Sequence, residues 1–155
     1  MQINVLVCPY YMRFLGIDYG KKRIGVAISD EAGTLAFPHS IIQNGQNKSK
    51  NKGKNDGQIS KNQSLSPTEQ IVSICNENDI QTVVIGDSKD FKMVDNKIMP
   101  EVRAFSNELA SKGLKMIFEP EVMTTIQAER IQGRRDDIDS SAAAIILQSY
   151  LDRLK

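Results

Sequence analysis

Apolar residues come along this chain in short runs broken by polar turns, and the period of each run predicts an element. RFLGIDY (13–19) is an apolar run that ends near an Asp. Gly20 then turns the chain through KKR. IGVAIS (24–29) alternates in period two at Val26 and Ile28, the pattern of a strand. Asp30 to Gly33 is a turn, and LAFPHSII (35–42) predicts a third strand. Pro38 marks that strand as an edge or a bulge, because proline has no N–H for a central ladder. Together the three runs predict an antiparallel meander.

The pattern then lapses and resumes in a different form. Residues 44–66 are dominated by Asn, Lys, Gly, Gln and Ser, and only Ile59 and Leu65 are large and apolar. Such a stretch buries too little surface to offset its ordering entropy and is expected to be a flexible loop. Ser66-Pro67-Thr68-Glu69 predicts a helix start, with Ser as cap, Pro in the first turn and Glu in the capping-box position. Ile71, Ile74 and Cys75 form the stripe of that helix. TVVIG (82–86) predicts a buried parallel strand. Pro100 opens a second helix with Val102, Phe105 and Leu109 on one face and Gly113 as its stop. LKMIF (114–118) predicts a fifth strand. A short helix is expected over 124–132 and a long one, rich in Ala, Ile and Leu, over 139–154. Three strands followed by alternating helices and strands give an α/β fold, a mixed five-stranded sheet flanked by helices.

Composition narrows the class. The chain has 155 residues, which suits one compact domain, expected here over residues 13–155. Residues 1–12 read as an N-terminal appendage, and Met12 is an alternative start. Lys and Arg total 20 against 19 Asp and Glu. That balance does not announce a nucleic-acid binder, although a local basic patch can hide in such a sum. Cys8 and Cys75 form no CxxC pair, so neither a zinc site nor a disulfide framework is predicted. The N-terminus lacks the charged leader of a signal peptide, and no run approaches the roughly eighteen apolar residues of a membrane span. A cytoplasmic protein without a membrane partner is expected.

The candidate chemistry lies in carboxylates at element ends. Asp18 stands near the end of the first strand, between Gly16 and Gly20. Glu121 follows the fifth strand. Asp139 opens the last helix, with Asp136 three residues earlier, a spacing that shares one helix face. Three acids from separate elements meeting at one sheet edge would repel each other unless cations joined them. Hard oxygen ligands of this kind suit Mg²⁺ or Mn²⁺, and paired ions of this type serve phosphodiester hydrolysis. Each acid also has a plain structural role open to it. Asp18 can begin a turn; Asp136, Asp137 and Asp139 can cap a helix; Glu119 and Glu121 can be solvated loop charges.

The opening FLGIDYGKKRIGVAISD and the ending DIDSSAAAIILQSYLD together resemble the YqgF/RuvX family, described as pre-16S ribosomal RNA nucleases and as Holliday junction resolvase-like proteins. EVMTTIQAER resembles the family's D-E-R-L-[TS]-T-x-x-A segment. The resemblance covers residues 13–154 apart from the 44–66 loop. It implies a ribonuclease H-like fold and a metal-dependent nuclease. Position by position, it implies catalytic roles for Asp18, Glu121 and Asp139, with Asp136 as a weaker fourth metal ligand. Thr124 and Thr125 match paired hydroxyls that can contact phosphate. Pro120 and Val122 depart from the family's Asp and Arg, and Glu119 can offer a replacement carboxylate.

The remaining candidates are basic. Lys21, Lys22 and Arg23 follow Asp18 and can hold phosphates or simply form a polar turn. Arg134, with Arg130 and Arg135, can grip a nucleic-acid backbone or solubilise a loop. His39 reads as structural, and Met93, Met99, Met116 and Met123 as packing residues. Neither a GxGxxG nor a Walker A motif is present. The implied partner is nucleic acid, structured RNA or branched DNA, bound by a monomer or a homodimer. A third reading, from a different class, is a non-catalytic accessory factor that binds nucleic acid without cutting it.

Overall fold

The computed structural model describes residues 12–45, 65–87, 98–120 and 135–155, with side chains from Ser140 onward in the last stretch. Five strands form one sheet: β1 (Phe14–Tyr19), β2 (Arg23–Ser29), β3 (Ala36–Gln43), β4 (Thr82–Asp87) and β5 (Lys115–Pro120). The helices are α1 (Pro67–Glu77), α2 (Met99–Ser111) and α3 (Arg135–Arg153). The strand order is β3-β2-β1-β4-β5. β2 pairs antiparallel with both β1 and β3, whereas β4 and β5 run parallel to β1. The expected mixed five-stranded sheet is therefore present.

Alternation along each strand sorts side chains onto two faces. Leu15, Ile17, Val26, Val83 and Ile85 pack with Ile71, Cys75, Val102, Phe105 and Leu109 of α1 and α2. Phe14, Ala27 and Val84 face the other way, onto Ala143, Ile146, Leu147 and Leu151 of α3. The central strands are apolar on both faces because helices cover both.

Local signals held where they rest on local chemistry. Ser66 accepts from the Glu69 backbone N–H at 3.2 Å, and Glu69 accepts from the Ser66 N–H at 2.7 Å, a complete capping box. These bonds hold the Glu69 carboxyl below its ordinary range. Ser66→Ala is expected to lower stability by about 1 kcal/mol, read as the shift in a urea midpoint; an unchanged midpoint would show that the cap is redundant. Pro38 lies on the edge strand β3, where the register slips between Val26 and Ala27 and His39 is bulged out. Gly113, at φ +90°, ends α2 in the left-handed region that glycine tolerates. The last helix differs from expectation. It is already helical at Arg135, the first described residue of this stretch, so Asp136 and Asp139 both lie within the helix rather than at its cap.

A candidate acidic site at the end of the first strand

β1 carries Asp18 to its C-terminal end, where burial gives way to half-exposure. Three observations define its surroundings. First, Asp18 is on the α3 side of the sheet, by alternation with Phe14 and with Gly16, where an added Cβ would run into Leu147 and Ala143. Second, Asp18 pairs with Gly25 of β2, and the register Ile17↔Ile85 brings Gly86 of β4 to its other side. Neither glycine contributes a side chain beside the carboxylate. Third, α3 runs antiparallel to β1. Phe14 meets the Tyr150 ring edge-on at 5.6 Å, and Gly16 meets Ala143 and Leu147. One strand step of about 7 Å beyond Gly16 is Asp18, and one helical turn of about 5.4 Å before Ala143 is position 139. The N-terminal turns of α3 thus approach the end of β1 that bears Asp18.

The other candidates divide between described and undescribed residues. Asp136 and Asp139 are placed on the α3 backbone, but their side chains lie outside the described set. Glu121, Thr124, Thr125, Arg134 and the short helix expected over 124–132 lie outside the described residues altogether. β5, which leads directly into Glu121, ends at the same sheet edge as β1, because Gly86 pairs with Glu119 and Asp87 with Pro120. Among the described residues alone, no group of three His, Cys, Asp or Glu side chains could hold a metal. That follows from the division, since two of the three expected acids fall outside it.

The structure revises the part expected of Glu119. It is on the α3 face and 2% exposed, and both its oxygens are engaged. Oε1 accepts from Ser149 Oγ at 3.1 Å and Oε2 from the Arg153 guanidinium. It is therefore a buried, paired carboxylate and not the spare ligand that the substitution at Pro120 suggested. Alternation with Ile117 along β5, and the four-residue spacing of Ser149 and Arg153, are the signals that would have paired them.

The basic turn is also more structured than its sequence implied. Asn44 Nδ2 donates to the Gly20 carbonyl at 2.7 Å, and the N–H groups of Asn44 and Gly45 donate to the Lys22 carbonyl. The sequence reading assigned Asn44 only to a loop, and it instead fastens the β1–β2 turn. Lys21 reaches Glu101 of α2 at 3.5 Å, an exposed pair on the side away from Asp18. Lys22 is exposed, and Arg23 begins β2 opposite Gln43. A cavity of about 370 Å³ lies on that α2 side, against Tyr19, Thr68 and Phe105. The carboxylates of Glu101 and Glu108 line it, which disfavours a phosphate there. Cys75 is buried, and burial pushes its thiol up to about 11, so it is no nucleophile at neutral pH. His39 is exposed and its Nδ1 bonds Ser40 Oγ at 2.9 Å.

Known proteins share this fold. Thermus thermophilus RuvC in complex with a Holliday junction substrate superposes with a TM-score of 0.51 at 11% identity, over 93% of this chain and 96% of that one. A second T. thermophilus RuvC structure gives 0.54 over 92% and 96%. These likenesses establish the fold as ribonuclease H-like. A protein from Agathobacter rectalis named "Putative pre-16S rRNA nuclease" is 32% identical over 92% of this chain and 96% of its own length. A protein of the same name from Syntrophus aciditrophicus is 33% identical over 92% and 90%. Fold and relatives together define a nuclease of the ribonuclease H-like class, a hydrolase of phosphodiester bonds. The RuvX family, described as Holliday junction resolvase, matches residues 12–153, and this chain belongs to it. No helix among the described residues is long and apolar enough to cross a membrane.

Proposed function

We propose that this chain is a cytoplasmic, metal-dependent nuclease that processes the 5′ end of precursor 16S ribosomal RNA, with residues 13–155 as its single domain. Asp18, Glu121 and Asp139 hold Mg²⁺ or Mn²⁺, with Asp136 as a weaker fourth ligand. Lys22, Arg23, Thr124, Thr125 and Arg134 contact the nucleic-acid backbone, whereas Lys21 is turned to Glu101 on the α2 side. The observation that carries the reading is the setting of Asp18: a half-exposed carboxylate at a strand end, between Gly25 and Gly86, with the first turns of α3 drawing near. A donor set made only of carboxylate oxygens suits a small hard cation, and glycines at Gly25 and Gly86 let a ligand approach the backbone beside Asp18 closely. When bound, such an ion supplies Lewis-acid stabilisation of the charge that develops on the phosphate. The chain's own part is to converge the acids, exclude excess water and orient the strand to be cut. Relatives that share 30% identity or more over nearly their full length, and carry the pre-16S name, support RNA as the substrate.

A second reading keeps the chemistry and changes the substrate. The family description and the RuvC likeness favour four-way DNA junctions. Two symmetric nicks would then require a homodimer. Precursor ribosomal RNA and junction DNA, incubated side by side with Mn²⁺, separate the two. Faster cleavage of the RNA by a monomer is the expected result. Preferential, paired nicking of the junction by a dimer would replace RNA with DNA as the substrate. Cleavage of neither, with no Mn²⁺ bound, would favour a non-catalytic accessory factor.

A further inference from the structure

We propose that Glu119, Ser149 and Arg153 form a clamp that positions the carboxylate site, an inference that rests on the roles given above to Glu121 and Asp139. Glu119 is the one charged side chain that is buried among the described residues. Its two oxygens take hydrogen bonds from Ser149 and Arg153, which stand on one face of α3 four residues apart. The Arg153 side chain is itself 57% exposed.

Stability alone is a poor reason for such a pair. Desolvation of a buried carboxylate offsets most of its attraction to the guanidinium, and an apolar residue of similar volume commonly serves as well. What directional bonds add is a fixed relative geometry. That geometry matters at this point in the fold. Among the described residues β5 is an edge strand, bonded to β4, and its last described residue is Pro120, which has no N–H to donate. The next residue is Glu121. The helix on the other side of the clamp is the one that carries Asp136 and Asp139. One ion pair therefore joins the strand that delivers one acid to the helix that delivers another. Glu119 and Arg153 act as positioning residues: they hold the ligands' carriers in register without touching substrate.

The test is a Mn²⁺ titration of the full chain followed by electron paramagnetic resonance, alongside the Mn²⁺ dependence of cleavage. Arg153→Ala is expected to weaken Mn²⁺ binding about tenfold, as losses around a metal's ligands commonly do. The Mn²⁺ needed for half-maximal cleavage should rise in parallel, while the rate at saturating Mn²⁺ recovers most of its value. Arg153→Lys should restore most of the affinity. Glu119→Gln, and the double variant Glu119→Gln/Arg153→Ala, leave no stranded buried charge and keep the test open if Arg153→Ala misfolds. Folded variants with wild-type Mn²⁺ affinity would overturn the clamp even if their melting points fall. A wild-type chain that binds no Mn²⁺ would overturn the carboxylate site and the clamp with it.

Discussion

Asp18→Asn is expected to reduce cleavage by on the order of a thousandfold or more, while the chain stays folded. The substitution keeps the size and shape of the side chain and removes its charge. Asp18 is half-exposed at the end of β1, so the core of the sheet does not depend on it. Its neighbours Gly25 and Gly86 supply no side chain that could take over as a ligand. The loss should therefore appear in the rate and in Mn²⁺ affinity, with an unaltered circular dichroism spectrum and melting point within about 2 °C of wild type, as expected for a change of well under 1 kcal/mol. Cleavage by Asp18→Asn at the wild-type rate, in protein free of contaminating nuclease, would remove the carboxylate from the chemistry.

Gly16→Ala carries the second large effect, and it acts through packing. A Cβ at this position would lie 2.7 Å from the Leu147 Cβ and 2.8 Å from the Ala143 carbonyl oxygen. Neither atom is the far end of a flexible side chain, so α3 itself must move away from the sheet. Overpacking of this kind costs about 1–3 kcal/mol, or a melting point lowered by roughly 2–4 °C per kcal/mol in a domain of this size. Activity should fall as well, because the displaced helix carries Asp139. Gly45→Ala is the matched control, since nothing lies within 4 Å of a Cβ built there. A Gly16→Ala chain as stable and as active as the control would mean that α3 does not rest on β1 as described.

Cys75, Val26 and Pro38 illustrate why much of the fold was legible in the sequence. The period-two run at Val26 and Ile28, the helical stripe of Ile71 and Cys75, and the proline on an edge strand are local patterns. Each element answered to them within a residue or two. The start of the last helix was not legible. The sequence predicts that Asp139 opens the helix and that Asp136 and Asp137 precede it or cap it, yet all three lie inside the helix. Capping chemistry is compatible with several adjacent positions when they are all acidic.

The site divides along the same line. Sequence determined which residue types stand at the strand ends, because a carboxylate after an apolar run needs either solvent or a partner. It also determined the family, through the segments at both ends of the chain. Sequence did not say what Glu119 does. Read along the chain, it is a loop acid two residues from Glu121; in the fold it is sealed beneath α3 against Ser149 and Arg153. Nor did it single out Gly25 and Gly86 as the neighbours of Asp18, or turn Lys21 toward Glu101. Partners distant in sequence are chosen by strand order and helix direction. Those are settled only when the two faces of the sheet bury their apolar side chains under α1 and α2 on one side and α3 on the other.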